Sequence, residues 1–529
     1  MRKLAPFVTS EKFRLYVAPI AAGTAIFLTF ERFNLLPVLF LLPFLLAGMR
    51  ALPLKQKLLA YWLMAMVTNI GGFNWIGIVA RDYGGLPVWA AWGLVVFFSI
   101  FNNLNFVLWA YLERVFGEKT NPFVIAVLFA VSEQLNPQVF PWYMGANLDS
   151  LPVFYQFADV FGVVGLSFLV LFLVHMPWWI WKNHKILFST KKYLFFAQIA
   201  FVFLLLMYGS WALKRYNNHP GPGKKAMTVS VVQSNTSMEK FYGSILSTGQ
   251  RVQEFQSILD LTKQAIEQTG RKTKLVVWPE GSVHFPILSY DRIRQPIANL
   301  AKNYKTYVIC GSAEVDGRNS AGKSIYYNSL FYFNPQGKIV GTYRKIVLLA
   351  FGEYIPFLDA LPFLQKWLPD TISNFTRGTE KPVFSLGDNF HWLPLICYED
   401  IISGFIAGFD FRKADFMVNI TNDGWFGKSS ASYLHKQMAR PRAVEYRKPI
   451  IRALNTGSSQ IIDAAGRTVS RETALYTQEY IDFTLNVPET PPVTLYALWG
   501  NWPVYLLMLI VAGLWLRKKV FKNTGAARP

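Results

Sequence analysis

Three polar residues each stand where an apolar run of the chain stops. Leu393-Pro394-Leu395-Ile396 ends on Cys397, with Tyr398-Glu399-Asp400 behind it; Leu275-Val276-Val277-Trp278-Pro279 ends on Glu280; and a hairpin turned at Asn334-Pro335-Gln336-Gly337 returns through Ile339 to Tyr343-Arg344-Lys345. The run from Glu399 to Ile406 is compatible with helix. Cys397 would then occupy a strand-to-helix corner beside unpaired backbone N–H groups, which favour the reactive thiolate over a thiol of ordinary pKa about 8.5. A carboxylate within reach could take the thiol proton, and a lysine could hold the oxyanion formed when sulfur adds to a carbonyl. Taken singly, each residue has a blander reading. A cysteine ending a strand is usually a small core residue, while a loop glutamate or a lysine after a hairpin is usually solvated.

The blocks around the three residues carry more. Trp278-Pro279-Glu280, Tyr343-Arg344-Lys345, Phe351-Gly352-Glu353-Tyr354, Cys397-Tyr398-Glu399, Asn422-Asp423-Gly424-Trp425-Phe426-Gly427 and Gln437-Met438-Ala439-Arg440-Pro441-Arg442-Ala443-Val444-Glu445 follow one another in that order. This series resembles the apolipoprotein N-acyltransferases, a membrane branch of the nitrilase or carbon-nitrogen hydrolase superfamily, over nearly the whole chain. The resemblance implies an αββα sandwich with Glu280 as base, Lys345 as oxyanion donor and Cys397 as nucleophile, each ending a different strand. Glu353, Tyr398 and Glu399 would support them, the two glutamates by orienting Lys345. It also implies ping-pong acyl transfer without cofactor or metal: a phospholipid, phosphatidylethanolamine foremost, gives its sn-1 chain to Cys397, and the α-amine of a diacylglyceryl-cysteine on an apolipoprotein receives it. Trp425 and Phe426, with Trp142 and Tyr143 of Phe140-Pro141-Trp142-Tyr143, are expected to frame the lipid opening, unless they serve only as interfacial anchors.

The chain departs from the family pattern in two places. Ile346 to Ala350 replace a segment that usually carries a histidine and a proline, so a fixed φ is lost and an N–H donor returns. Gly281-Ser282 follow Glu280 where threonine and alanine are common. Two other readings are a membrane-tethered amidase or nitrilase that uses water, and a catalytically inactive lipid-binding or transport protein.

These residues must be positioned by a membrane protein. The 529 residues are 52% hydrophobic and 16% aromatic, too apolar for an ordinary soluble enzyme of this size. Apolar runs near 13–30, 35–48, 58–80, 87–112, 122–140, 160–181, 193–213 and 493–516 predict about eight crossings, the second short and bent by Pro37 and Pro43. The expected organisation is seven spans in 1–217, a catalytic domain in 218–490 after a Pro/Gly/Lys linker, and an eighth span with its tail in 491–529. Basic clusters fall on alternate connections: Arg2, Lys3, Lys12 and Arg14; Arg50, Lys55 and Lys57; Lys182, Lys185, Lys191 and Lys192; Arg517, Lys518, Lys519 and Lys522. Both termini are therefore expected on the cytoplasmic side of a bacterial inner membrane and the catalytic domain on the periplasmic side, with the first span an uncleaved anchor.

The net charge of +21 follows from these clusters and a basic surface near anionic lipid, and no nucleic-acid motif accompanies it. Only two cysteines occur; Cys310 reads as strand core, so no disulfide is expected, nor does any Cys/His spacing suggest a metal. Between residues 225 and 485, strand and helix patterns alternate, with hairpins inside, as in an α/β fold with mixed sheets. A monomer is expected.

Overall fold

The computed structural model describes residues 10–82, 85–102, 104–116, 121–138, 140–185, 192–236, 247–318, 322, 324–350, 352–354, 375–387 and 389–523. Phe351 of the Phe-Gly-Glu-Tyr block and the basic residues Arg2, Lys3 and Lys191 lie outside them.

Eleven strands among the described residues form two sheets. They are β1 (Lys224–Gln233), β2 (Thr273–Val277), β3 (Tyr307–Arg318), β4 (Ser324–Phe333), β5 (Ile339–Arg344), β6 (Phe384–Leu386), β7 (Phe390–Ile396), β8 (Phe416–Thr421), β9 (Ile450–Leu454), β10 (Gln460–Ile462) and β11 (Glu479–Pro488). The first sheet runs β11-β1-β2-β3-β4-β5 and the second β10-β9-β8-β7-β6. In both, the central strands are parallel and the outer ones antiparallel. Parallel strands covered on both faces read as continuous apolar runs, which is why Leu275-Val276-Val277 and Leu393 to Ile396 stand out in the sequence. Because β1 begins at Lys224, the linker is shorter than the 218–225 run its composition marks.

Alternation along β1 divides its side chains between two cores. Val229 and Val231 join Leu275 and Val277 against Trp392, Leu395, Met417 and Ile420 of the second sheet. On the other side, Val232, Val276 and Val308 pack under the helices Thr248–Gln268 and Asp291–Tyr304. Ser247 starts the first of these helices with a reciprocal capping box to Gln250, satisfying two otherwise orphaned donors.

The outer face of the second sheet is covered by the helix Ala431–Tyr446, and this layer is shared. Ala443 and Tyr446 belong to the apolar cluster of the second sheet. Ala431, Leu434, Met438, Ala439 and Val444 belong instead to one apolar cluster with the helical bundle. Polar contacts follow the same seam: Lys436 lies 2.6 Å from Glu31, Arg440 2.8 Å from Asp149, and Glu445 accepts from the Val163 N–H at 2.9 Å. Glu31 and Asp149 sit on connections expected to share one side of the membrane, and both meet the catalytic domain.

Each of the eight apolar runs contains helix. Among the described residues, three helical segments, Val88–Phe116, Ala158–Lys182 and Lys192–Arg215, are long and apolar enough to cross a membrane, and Leu54–Phe73 with Trp75–Asp82 makes a fourth if that pair, bent by 50°, is one span. The others are shorter. Leu36–Leu41, containing Pro37, is a 3-10 segment before the α-helix Leu42–Arg50, which accounts for the short second run. The 50° bend follows Gly71-Gly72, where Cβ atoms would strike Phe27 and Phe30 at 2.7 and 2.1 Å, and the Asn74 side chain bonds back to the Gly71 carbonyl. Glycine pairs and an inserted polar side chain are ordinary causes of such kinks. Glu133 is buried inside the bundle, accepting from the Met144 N–H at 2.9 Å, while Trp181 and Trp502 are exposed near helix ends, as interfacial anchors would be.

Arg447 closes the seam. Its guanidinium, fully buried, bonds Asp159 of the bundle at 2.6 and 3.0 Å, Gln156 Oε1 at 2.6 Å and the Ala464 carbonyl at 3.0 Å. Removing one partner of a buried pair strands the other charge, at a cost of about 3–5 kcal/mol. Arg447→Ala and Asp159→Ala should therefore each lower the thermal midpoint in detergent, and the double variant should fall by less than the two losses added; strictly additive losses would show that the pair does not hold the two parts together.

Candidate active site

Backbone geometry presents the three residues. Pro279 ends β2, and Gly281, with φ of +63°, turns the chain sharply after Glu280. Gly311 makes the close approach possible, since a Cβ there would lie 2.7 Å from the Glu280 Cα. Lys345 directly follows β5, its N–H bonded to the Asn328 carbonyl at 2.9 Å. Cys397 directly follows β7 with φ of +52°, a left-handed conformation that non-glycine residues seldom adopt and that concentrates at functional corners. Asn419 from β8 holds that corner by donating to the Cys397 carbonyl at 3.0 Å.

The corner leads into a 3-10 turn, Cys397–Ile401, rather than the α-helix its composition allows. A single turn lacks the aligned dipole that would favour a thiolate. Burial, together with the charge of Glu280, pushes the Cys397 thiol well above its ordinary range against the opposing pull of Lys345. The corner therefore does not supply the thiolate-favouring helix N-terminus that the sequence suggests.

Lys345 is buried between two carboxylates, its Nζ 3.2 Å from Glu280 Oε1 and 2.8 Å from Glu353 Oε2. Asn328, on β4, donates its amide to Glu280 Oε1 at 2.7 Å and Glu353 Oε1 at 2.6 Å. The remaining oxygen of Glu280 accepts from the Asn422 N–H at 2.9 Å, and Glu353 Oε2 also accepts from the Leu349 N–H at 2.8 Å. Burial works against charge on Lys345, but the two carboxylates outweigh it and hold the ammonium well above its ordinary pKa. Burial and the like charge of Glu353 raise the Glu280 carboxyl, with Lys345 acting the other way. A carboxylate so raised is a better proton acceptor.

Glu399 has a different place from the one expected. It accepts from the N–H groups of Ile346 at 2.7 Å, Val347 at 3.0 Å and Ile396 at 2.9 Å and from the Tyr343 hydroxyl at 2.8 Å, so it ties the segment after Lys345 to the strand before Cys397 instead of pairing with the ammonium. Burial lifts its carboxyl to about 7 against those donors. The extra N–H left by the absence of proline in Ile346 to Ala350 is no loose end, because Ile346, Val347 and Leu349 all donate to Glu399 or Glu353.

Cys397 opens into an apolar pocket that crosses the seam. Tyr398, Leu349, Phe426 and Met438 line it from the catalytic side, and Phe73, Trp75 and Phe140 from the bundle. The helix bend at Asn74 delivers Trp75, whose ring stands 4.9 Å from Phe426 and 4.7 Å from Phe140; Phe140 in turn meets Tyr398 at 5.7 Å. Of the aromatics expected at a lipid opening, Phe426 lines the pocket. Trp425 and Tyr143 are half-buried outside its lining. Trp142 is turned inward: its backbone N–H donates to Gln138 Oε1 at 2.6 Å and its ring packs 5.2 Å from Phe30 in the bundle core. The preceding Phe140-Pro141 lines the pocket in its stead.

Asn328, Asn422, Asp400, Asp423 and His435 were not singled out by sequence spacing. Asn422 and Asp423 lie in a block the sequence marks, and Asn328 is an amide inside a largely apolar and aromatic strand, but nothing in the spacing marks His435. Cys310 is a buried free thiol in β3. Among the described residues, no group of three metal-ligating side chains occurs.

Two mixed sheets with a cysteine, a glutamate and a lysine converging from their strand ends define a carbon-nitrogen hydrolase fold, and the profile "Carbon-nitrogen hydrolase" matches residues 228–487. A second profile, "Apolipoprotein N-acyltransferase N-terminal domain", matches residues 22–176 in the bundle. The apolipoprotein N-acyltransferase of Bdellovibrio bacteriovorus is 29% identical over 481 residues, covering 87% of this chain and 85% of that protein. That of Bradyrhizobium diazoefficiens is 29% identical, with 95% of each covered. Saccharomyces cerevisiae Nit3, of branch 10 of the nitrilase superfamily, is 18% identical over 50% of this chain and 92% of its own, with a TM-score of 0.37. The chain belongs to the apolipoprotein N-acyltransferase family.

If Glu280 must be ionised to accept the thiol proton, acylation slows as pH falls through its raised pKa. Glu353→Gln removes a like charge and should move that acid limb to lower pH in single-turnover acylation; a limb that stays in place, or rises, contradicts the assignment.

Proposed function

We propose that this chain transfers a phospholipid acyl group to the N-terminal amine of diacylated apolipoproteins, through a thioester on Cys397. The observation that carries the reading is the pocket in which the Cys397 thiol, beside the buried Glu280–Lys345–Glu353 cluster, faces aromatic side chains of the bundle. A water-using amidase has no need of such a wall.

In the first half-reaction Glu280 takes the Sγ proton as sulfur adds to the sn-1 ester carbonyl. Lys345 holds the oxyanion, the C–O bond breaks, and Glu280 returns the proton to the departing lysophospholipid oxygen. In the second, the acceptor α-amine adds to the thioester carbonyl and gives its proton to Glu280, the C–S bond breaks, and the thiol is re-protonated. The resting thiol suits this order, since its proton leaves only when base and substrate are both in place. Apolar walls keep water from the thioester until the amine arrives. They also spare the acyl chain full exposure, at about 0.8 kcal/mol per methylene.

This reading places the chain in a bacterial inner membrane, with termini cytoplasmic and the catalytic domain periplasmic. The basic clusters on alternate connections support it, as do the contacts of Glu31 and Asp149 with the catalytic domain. The donor is a phospholipid such as phosphatidylethanolamine, the acceptor a diacylated apolipoprotein, and the working unit a monomer.

Initial rates with phosphatidylethanolamine and a synthetic diacylated lipopeptide, both varied, should give the parallel double-reciprocal lines of a ping-pong reaction and a peptide heavier by one acyl chain, with no product from Cys397→Ala. Intersecting lines, or free fatty acid without acylated peptide, would replace the transferase with a sequential enzyme or a hydrolase.

A further inference from the structure

We propose that His435 is a positioning residue for the acyl transfer, its imidazolium bracing the turn that carries Cys397 against the turn that holds Glu280. The inference rests on the acyl-transfer reading above. His435 lies on the helix Ala431–Tyr446, buried in the wall of the Cys397 pocket. Its Nδ1 is 2.9 Å from Asp423 Oδ1 and its Nε2 is 3.0 Å from Asp400 Oδ1. A neutral imidazole has one N–H and a carboxylate only accepts, so meeting both at once requires the doubly protonated ring.

The two carboxylates sit at the roots of the chemistry. Asp400 shares the 3-10 turn that begins at Cys397. Asp423 directly follows Asn422, whose N–H donates to Glu280 and whose side-chain oxygen is held by Asn455 at 3.1 Å. One cation therefore spans the corners after β7 and β8. The charged groups facing it from the packed elements are Asp400, Asp423 and, beyond Asp400, Arg452 of β9, whose Nε lies 3.0 Å from Asp400 Oδ2; Cys397 shares the pocket. Lys436, the next residue on the helix, pairs outward with Glu31 and Glu472.

Two carboxylates, one imidazolium and one guanidinium balance. Loss of the ring proton leaves an excess negative charge and sets a nitrogen lone pair against a carboxylate. Burial disfavours the charged ring, but Asp400 and Asp423 outweigh it and lift His435 to about 9. Because this lies above the ordinary 6.5, the brace is fully present below about 6.5, persists through neutral pH, and is lost as pH rises through about 9. Lys345 and Cys397 are held well above their ordinary values, and loss of the limb in a histidine variant assigns it.

The test is single-turnover acylation of the full chain by phosphatidylethanolamine, followed by intact mass from pH 6 to 10 in wild type, Cys397→Ala and His435→Gln. Glutamine keeps a donor but not the charge or the second bond. His435→Gln should acylate about 100-fold more slowly, as expected for a displaced reacting group, at an unchanged half-saturating phospholipid concentration, and the wild-type alkaline limb near 9 should vanish in it. Acylation of His435→Gln at the wild-type rate, or retention of the limb, overturns the brace. Should the variant fail to fold, the wild type decides alone, because a rate that stays flat through pH 9 also overturns it. A wild type that never acquires the acyl chain instead sinks the acyl-transfer reading itself.

Discussion

An ammonium group buried between two carboxylates sets the terms for the rest of the catalytic domain. Taking three charges out of water costs several kcal/mol each unless every lone pair and proton finds a partner, and around Lys345 those partners are supplied. Asn328 bridges Glu280 and Glu353, and the backbone N–H groups of Asn422 and Leu349 take the remaining oxygens. To deliver them, strand ends from both sheets must stop at one level, and β3 must carry glycine at position 311 where the Glu280 corner presses against it. Burial and the charge of Glu280 also hold the Cys397 thiol above its ordinary range.

The second constraint is the layer shared with the bundle. A helix that covers a sheet in a soluble protein exposes one face to water. Ala431–Tyr446 is covered on both sides, by the sheet and by the bundle, so the pocket of Cys397 has no aqueous wall there. The bent helix at Asn74 and the segment at Phe140 complete it. Cys397 and its apolar pocket thus share one packing interface, and the ion pairs of Arg440, Lys436 and Arg447 hold its polar contacts.

Much of this was legible in the sequence where a local rule dominates. Strands β2, β5 and β7 contain the apolar runs that mark them in the sequence, because buried strands must be apolar and Pro279, Lys345 or Cys397 follows where each run stops. Glu280, Lys345 and Cys397 could be named because each breaks such a run. What stayed hidden depends on tertiary partners. Whether Glu399 faces Lys345 or caps the two segments beside it is decided by backbone N–H groups from elsewhere in the chain, and no spacing encodes that. Trp142 reads as an interfacial aromatic until Phe30 is seen against it. The helix expected after Cys397 shortened to a 3-10 turn because its first residue takes a left-handed φ that α-helix cannot continue. His435 sat unnoticed in a helix whose neighbours, Asp400 and Asp423, are 35 and 12 residues away.

The most direct test of the central claim is the intact mass of the purified protein after incubation with phosphatidylethanolamine and no acceptor. The account predicts a gain of one acyl chain in wild type, removed by neutral hydroxylamine as a thioester is, and no gain in Cys397→Ala. A mass gain that persists in Cys397→Ala, or phospholipid consumed to free fatty acid with the protein mass unchanged, would contradict it.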